Sequence, residues 1–317
     1  MYNYTKKIIV GSRASPLARA QVEIFLNSLK KSFGSDILNK FEKKFFITSG
    51  DRFLDKKISS IGNKGLFTKE IDEAQLNFKI DFAVHSLKDL PTKLPKGLKI
   101  GAVLQRDAPE DVILYNSNKK ILELSKGSVV GTSSLRRAIQ LKKYREDLVI
   151  KEIRGNIETR IQKLKKGDFQ AIVLAAAGIN RLKIRNYHEK IDTNIIIPSP
   201  GQGVIAIVVR EDDSDQIFLK KINHQVSYLE SECERIYLSA LDGSCKTPIG
   251  ALAKLEKESN KKKILFKYMA STINGNKYIK DQTYFDIEDY RKMSFNLGKK
   301  IKKQLLHSED SPYTTNK

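Results

Sequence analysis

The strongest constraint on the fold is a repeated alternation of short apolar strands and amphipathic helices. Residues 6–10 are predicted to form a strand, and Ser15-Pro16 then supplies a capping residue and a proline at the start of a helix. One face of that helix carries Ala18, Val22, Phe25, Leu26 and Leu29. A later helix is predicted to share one face among Phe67, Ile71, Ala74 and Phe78. Because the alternation restarts after Arg106, the sequence predicts two α/β domains of one class.

The pattern changes near residue 222. Residues 226–241 are predicted to be helical, and Asn274-Gly275 indicates a hairpin ahead of a C-terminal helix. The apolar run at residues 204–209 is predicted to be a strand that crosses back to the first domain. We therefore expect two α/β domains and a small α+β domain, which comprise residues 1–104 with 199–221, residues 105–198, and residues 222–317.

The composition is that of a globular protein. The 317 residues are 40% hydrophobic, which is enough apolar material to close a core. The longest apolar run, residues 171–179, is shorter than the roughly 18 residues that a membrane helix needs, and no signal peptide is recognised. Two cysteines are too few for a disulfide framework, so we expect a cytoplasmic protein.

Arginine is more informative than the net charge. The chain has 58 Lys and Arg against 37 Asp and Glu, a net charge of +21, but the Lys residues are scattered along its whole length. A guanidinium contacts a carboxylate or phosphate at two points, whereas the Lys ammonium acts as a point charge. Seven of the fourteen Arg lie from Arg136 to Arg185, and this stretch is the predicted anion-binding region.

Two arginine-bearing turns follow predicted strands in this region, at residues 131–137 and 154–160. Ligands of open α/β sheets bind beyond the carboxyl ends of the strands, where free N–H groups begin the next helix. The two turns are therefore expected to face one crevice. The structural alternative for each turn is an ordinary capped helix followed by solvated Arg side chains.

A third segment, residues 83–91, runs from a buried strand directly into polar residues. Asp89 precedes a bend imposed by Pro91, and its carboxylate is suited to act as a base or to stabilise a cationic intermediate. A turn-capping carboxylate is the structural alternative. His85 is open to two interpretations, a catalytic group or a hydrogen-bonded structural residue.

The two cysteines differ in their surroundings. Cys233 is predicted to be a core residue, because it shares a helical face with Val226, Leu229, Ile236 and Tyr237. Cys245 lies in a loop of small residues next to Lys246, whose charge favours the thiolate. Cys245 is therefore a candidate point of covalent attachment, with an inert loop thiol as the alternative.

Taken in order, these segments resemble the porphobilinogen deaminase family. The matching segments are residues 11–18, 62–67, 83–91, 131–137, 154–156, 175–182, 200–203 and 243–245. The resemblance implies a transferase of porphyrin and haem biosynthesis. It also implies two domains arranged like a periplasmic binding protein around a cleft, followed by a third, smaller domain.

The resemblance further implies the chemistry. Four porphobilinogen molecules are joined head to tail, each with loss of ammonia, on a dipyrromethane cofactor that a thioether holds on Cys245. Hydrolysis then releases hydroxymethylbilane. Asp89 matches the catalytic aspartate of the family, and a carboxylate near the pyrrole N–H groups lowers the barrier by stabilising the cation that forms there.

The remaining site residues are assigned from their positions in the segments that resemble the family. The cofactor-binding residues are expected to be Lys88, Ser134, Arg136, Arg137 and Cys245. The residues expected to bind the substrate are Arg13, Lys64, Ser86, Arg154, Arg160 and Arg181. No metal, nucleic-acid or membrane partner is expected, and the family suggests a monomer. The chain has Ser49 where many members carry Arg and Ser244 where others have Gly, and neither change removes a group that the mechanism needs.

Two other classes of protein compete with this interpretation. A non-catalytic anion-binding protein of the periplasmic-binding type would use the same arginine turns, but it requires a signal peptide and gives Cys245 no role. A nucleic-acid-binding protein is suggested by charge alone. With 8% aromatic residues and no Trp, the sequence offers few aromatic side chains on which nucleotide bases could stack.

Overall fold

The computed structural model describes residues 7–52, 67–116, 121–185, 188–212, 216–241, 247–258 and 261–306. The chain divides into two compact units. The first comprises Met1–Asp107 and Val204–Tyr228, and the second comprises Ala108–Gly203 and Leu229–Lys317.

The described residues form thirteen strands and nine α-helices. The strands are β1 (Ile8–Arg13), β2 (Phe41–Phe46), β3 (Phe82–Ser86), β4 (Leu98–Val103), β5 (Asp111–Tyr115), β6 (Val129–Gly131), β7 (Val149–Lys151), β8 (Ala171–Ala175), β9 (His188–Lys190), β10 (Ile205–Arg210), β11 (Ile249–Glu258), β12 (Lys261–Ser271) and β13 (Tyr278–Asp286). The helices are α1 (Pro16–Phe33), α2 (Ser49–Arg52), α3 (Lys69–Leu76), α4 (Leu135–Tyr144), α5 (Ile157–Lys165), α6 (Ala176–Arg181), α7 (Gln216–Ile222), α8 (Gln225–Ala240) and α9 (Tyr290–Leu306).

The first unit contains a five-stranded sheet in the order β2-β1-β3-β10-β4. β1 pairs in parallel with β2 and β3, whereas β10 lies antiparallel between β3 and β4. The predicted returning strand is thus confirmed as β10. The sheet is mixed rather than wholly parallel, because the chain re-enters it from the opposite direction.

Helix α1 follows β1 as the sequence predicts. The Ser15 side chain accepts a hydrogen bond from the Ala18 N–H, and Pro16 occupies the first helical position. The predicted apolar face is buried, and Phe25 makes edge-on contacts with Phe41 and Phe82 at centroid distances of 6.3 and 6.1 Å. Each of the buried Val, Phe and Leu side chains contributes roughly 1.5 to 3 kcal/mol, so this face fixes α1 on the sheet.

Helix α3 departs from its predicted face. Ile71 and Ala74 are buried as expected, but Phe78 is 72% exposed. The helix ends at Leu76, and Phe78 has a positive φ of 56°, so it does not continue the helical spacing. Its ring instead contacts the Arg210 guanidinium, 4.6 Å from the centroid. The prediction that Phe78 shares one helical face with Ile71 and Ala74 is therefore wrong.

The second unit repeats the architecture of the first. Its five-stranded sheet has the order β7-β6-β8-β5-β9. β6 is parallel to β7 and β8, and β5 lies antiparallel between β8 and β9. Each five-stranded sheet therefore has one antiparallel strand, β10 or β5, in the fourth position of its order. This agreement is expected of two domains of one class.

The second unit also contains a small α+β part. Its antiparallel sheet has the order β11-β12-β13 and packs on α8 and α9. The predicted hairpin turn lies between β12 and β13, where Gly275 has a φ of 81° that suits glycine. Cys233 is fully buried in this core, which confirms its predicted place. Burial raises the pKa of its thiol well above the usual range.

This small sheet is tied to the segment that precedes β10. The Ala251 N–H donates to the Pro198 carbonyl at 3.0 Å. The buried Glu234 carboxylate accepts from the Gly201 N–H at 2.7 Å and from the Ala253 N–H at 2.8 Å. Two buried backbone donors are thereby satisfied by one side chain, and the segment is held in place.

The predicted fold class, two α/β domains with a small α+β domain, is confirmed. The three domain boundaries drawn from the sequence stay a prediction. Among the described residues, none of the helices combines the length and apolar character needed to cross a lipid bilayer.

Candidate active site

A polar cavity lies at one edge of the first sheet. β1 and β3 are parallel neighbours, so their carboxyl ends meet at this edge, and α1 begins directly after β1. The polar side chains that line the cavity are Ser12, Arg13, Ser15, Gln21, Thr68, His85, Ser86 and Asp89. The structure thus brings together three predicted site residues, Arg13, Ser86 and Asp89.

Asp89 is presented on a short, anchored turn. It ends the 3₁₀ turn Leu87–Asp89 that follows β3, and the Leu87 N–H donates to the Val204 carbonyl at 3.0 Å. Leu87 and Leu90 are 1% and 3% exposed, whereas Asp89 between them is exposed. Because its neighbours are packed, the Asp89 carboxylate is held at the cavity while remaining accessible to a ligand.

Arg13 is oriented by a carboxylate that sequence reasoning did not single out. Its guanidinium forms an ion pair with Asp51 and lies over the Phe67 ring, 4.4 Å from the centroid. Asp51 also accepts from the Thr48 hydroxyl at 2.7 Å. Burial alone would raise the pKa of Asp51, but hydrogen bonds from Arg13 and Thr48 lower it below its usual value. The pair is therefore charged and fixed near neutral pH.

The hydroxyl group of Ser86 can donate a hydrogen bond to a ligand. Its Oγ atom accepts a hydrogen bond of 2.7 Å from the Gln21 amide, and Gln21 is itself buried. An oxygen that already accepts can still donate its own hydroxyl proton to a ligand. Lys88, the next predicted residue on this edge, is half-buried in the turn that carries Asp89.

The second unit buries two predicted arginines around one carboxylate. Arg136 and Arg137, in the first turn of α4, are 5% and 7% exposed, and Asp111 at the start of β5 is fully buried. Arg136 Nη1 lies 2.8 Å from Asp111 Oδ2, and Arg137 Nη2 lies 2.7 Å from Asp111 Oδ1. The alternative of solvated Arg side chains after Ser134, the N-cap residue, is therefore excluded for these two.

The cluster of Arg136, Arg137 and Asp111 carries more positive than negative charge. Burial would raise the pKa of Asp111, but both guanidiniums hold it well below its usual range. Arg160 lies near enough to Arg137 that burial and the charge of Arg137 together lower its pKa to about 10. Buried charges are costly unless paired, so this surplus favours binding of an anion.

Further polar contacts fix the cluster. Asp111 Oδ1 also accepts from the Gln202 amide at 2.9 Å, and Arg136 Nη1 also donates to the Ile197 carbonyl at 2.7 Å. Gln202 lies in the segment 200–203, which matches the family in sequence, whereas Asp111 is not among the residues that the sequence singles out. No local spacing identifies Asp111, because its partners are 25, 26 and 91 residues away.

Three other predicted arginines have partners different from Asp111. Arg154 Nη2 lies 2.8 Å from Glu152 Oε1, and Arg181 Nη2 donates to the Gly203 carbonyl at 2.6 Å. Arg160 Nε donates to the Gly155 carbonyl at 2.8 Å. Lys64 and Cys245 lie outside the residues that the structure describes.

Comparison with known proteins identifies the family. Residues 8–217 match the family described as porphobilinogen deaminase, dipyromethane cofactor binding domain, and residues 228–307 match porphobilinogen deaminase, C-terminal domain. The chain belongs to the porphobilinogen deaminase family. The family consists of transferases of tetrapyrrole biosynthesis, as the resemblance implied.

Relatives align over most of the chain. The porphobilinogen deaminase of Nitratiruptor is 39% identical over 95% of this chain and 93% of its own length. Those of Syntrophomonas wolfei and Listeria monocytogenes are 44% and 46% identical, over 79% and 78% of this chain and 82% and 81% of their own. A solved structure, Lactococcus lactis GlnP substrate binding domain 2, is 13% identical over 76% of this chain and 92% of that chain, with a TM-score of 0.42.

The residues of the second unit fit a dipyrromethane. Such a group carries an acetate and a propionate on each pyrrole, so it presents several carboxylates together. Arg136 and Arg137 share one carboxylate, and Arg160 adds a third positive charge nearby. Planar guanidinium groups suit carboxylates in two-point contact, so the donor set matches the chemistry of the group.

Proposed function

We propose that this chain condenses porphobilinogen head to tail, with loss of ammonia, on a dipyrromethane bound by a thioether to Cys245, and releases hydroxymethylbilane. The observation that carries the proposal is the meeting of Asp89, Arg13 and Ser86 at one cavity. A carboxylate for the pyrrole N–H groups and donors for the pyrrole carboxylates are thereby present at one place.

Asp89 is proposed as the catalytic residue. When ammonia leaves the substrate, the remaining carbon becomes electron-poor, and the pyrrole that attacks it carries positive charge until its ring proton is lost. The exposed Asp89 carboxylate accepts hydrogen bonds from pyrrole N–H groups and stabilises that charge. It is also placed to accept a proton.

The arginines are proposed to neutralise the carboxylates of the substrate and of the growing chain. Arg13 is oriented for this by Asp51, and Ser86 donates its hydroxyl beside it. Arg154, Arg160, Arg181 and Lys64 are proposed to meet the later pyrroles. Each added pyrrole brings two carboxylates, so the number of cations required grows with the product.

Cofactor binding is proposed for Lys88, Ser134, Arg136 and Arg137, with Cys245 as the attachment point. When bound, dipyrromethane supplies the pyrrole carbon to which the first substrate is joined. The charge surplus of the Asp111 cluster supports these roles.

The remaining properties are proposed on general grounds. The three segments 1–104 with 199–221, 105–198 and 222–317 are taken as the domains. The protein is proposed to act as a cytoplasmic monomer with no nucleic-acid or membrane partner. The net positive charge of the chain then serves to bind anionic substrates. Size-exclusion chromatography tests the oligomeric state, and we expect elution at the mass of one chain.

The proposed reaction is tested by mass spectrometry after brief exposure to porphobilinogen. We expect covalent adducts spaced by one porphobilinogen less ammonia. Replacing Arg154 or Arg181 with Leu should make particular adducts accumulate, whereas replacing Arg136 or Arg137 should impair assembly of the cofactor itself. An anion-binding protein without catalysis would show reversible binding and no adducts, and that result would refute the proposal.

A further inference from the structure

The cavity of the first unit contains a buried side chain whose hydrogen-bonding capacity the fold does not use. His85, in β3, lines the cavity and is 5% exposed. Its Nε2 atom is buried and has no hydrogen-bond partner among the residues that the structure describes. Because an unpaired buried polar atom lowers stability, its presence calls for an explanation.

A purely structural role for His85 is not supported by its contacts. A structural histidine usually satisfies a ring nitrogen with a neighbour, as His224 of the same unit does with the Ser227 hydroxyl at 2.9 Å. His85 sits instead between two cavity-lining residues, Val84 and Ser86. An unpaired ring nitrogen on a residue that lines a cavity is explained if a ligand supplies its hydrogen-bond partner.

The charges around His85 determine its protonation state. Burial, and then the nearby positive charge of Arg13, lower the pKa of His85 to about 4. The imidazole is therefore neutral near pH 7 and offers one N–H donor and one acceptor nitrogen. A cationic ligand group would be repelled by Arg13, so the anionic end of a ligand is favoured next to the ring.

We propose that His85 donates a hydrogen bond to a carboxylate of the pyrrole substrate, alongside the hydroxyl of Ser86. In its bond with Gln21 the Ser86 oxygen is the acceptor, so the hydroxyl proton of Ser86 is not used there and can be donated to the ligand. Asp89 is the one carboxylate among the described residues that line this cavity, so it is left for the pyrrole N–H groups. This assignment rests on the proposed function and adds a substrate-binding residue to it.

The test compares His85→Leu with the unmodified protein in steady-state turnover of porphobilinogen. We expect KM to rise at least about tenfold, as for loss of a hydrogen bond to a charged group, while kcat changes less than about twofold. The melting temperature should stay the same or rise, because an unpaired buried polar group is removed. His85→Gln, which keeps an N–H donor, should restore most of the affinity.

His224→Gln is the matched control, since it alters a histidine of the same unit whose ring nitrogen already has a partner. It should leave KM unchanged. If His85→Leu does not fold, His85→Met fills the same space with a flexible apolar side chain. An unchanged KM in a folded apolar variant, with or without a lower melting temperature, would overturn the assignment. If the unmodified protein does not consume porphobilinogen, the proposed function itself fails, and this assignment fails with it.

Discussion

At the scale of single residues, turnover should depend most on the carboxylate of Asp89. Asp89→Asn keeps the shape and removes the charge, so we expect turnover to fall by at least about 10³ through loss of electrostatic stabilisation and proton transfer. The melting temperature should barely change, because the side chain is exposed. Asp36→Asn, at another exposed position of the same unit, is the control and should be fully active. Near-normal turnover of Asp89→Asn would remove Asp89 from the mechanism.

Asp111 should matter for stability, because it is the buried counter-charge of two arginines. Asp111→Asn leaves Arg136 and Arg137 without it, and we expect a loss of about 3 to 5 kcal/mol in the free energy of unfolding, measured with urea at pH 7. The folded pKa of Asp111 is below its unfolded value, so its stabilisation is present above about pH 4 and is lost as the pH falls further.

The difference between Asp111→Asn and the unmodified protein should therefore shrink below about pH 4. The control is Asp147→Asn, which removes the partner of Arg145 from a more exposed ion pair and should barely shift the urea midpoint. Equal midpoints for Asp111→Asn and the unmodified protein at pH 7 would show that the two arginines do not need this counter-charge.

Single residues also show where sequence reasoning ends. Arg136 and Arg137 are identifiable because a strand, a turn with hydroxyl groups and a helix are adjacent in sequence. Their partner Asp111 is not identifiable, because it is 25 residues from Arg136 in an otherwise apolar strand. Asp51 is not identifiable from the sequence for the same reason, because it is 38 residues from its partner Arg13. Ion pairs of this kind are created by the tertiary fold and leave no local spacing.

At the scale of elements, helix α3 contains a carboxyl group that opposes folding at neutral pH. Asp72 is 6% exposed and its Oδ1 atom has no hydrogen-bond partner among the described residues. Burial, with a smaller contribution from the charge of Glu73, raises its pKa to about 6. A raised folded pKa means that the proton favours the folded state, so stability is lost as the pH rises from about 4 to about 6.

Asp72→Asn should therefore stabilise the protein on the order of 1 kcal/mol at pH 8 and have little effect at pH 4. Chemical unfolding at the two pH values measures the difference. Asp36→Asn, at an exposed position of the same unit, is the control and should leave the stability at both pH values nearly unchanged. An equal effect of Asp72→Asn at both pH values would contradict the raised pKa.

The elements differ in how far the sequence predicts them. α1 is predicted from its first residue, since Ser15 and Pro16 mark its start and the apolar spacing continues for three turns. The predicted face of α3 fails at Phe78, because the helix ends before that residue and the backbone turns to a positive φ. Apolar spacing identifies a face but does not show where the helix ends.

At the scale of the whole molecule, the alternation of strands and helices predicts the α/β class and even the returning strand. The direction of that strand is not predictable from spacing, because a buried strand has the same apolar pattern in either direction. The order β2-β1-β3-β10-β4 depends on pairings between residues more than 100 apart, such as Ala206 with Val103 and His85. Topology of this kind is established only by the folded chain.

The central claim, a covalent dipyrromethane on Cys245, is tested most directly by the intact mass of the purified protein after incubation with porphobilinogen. We predict the mass of the 36.0 kDa polypeptide plus at least two porphobilinogen units, each less one ammonia. Cys245→Ser should have the mass of the bare chain, whereas Cys233→Ala should keep the adduct and lose only about 1 to 2 kcal/mol of stability as a small core truncation. A bare mass for the unmodified protein, or an adduct that disappears with Cys233→Ala and persists in Cys245→Ser, would contradict the account.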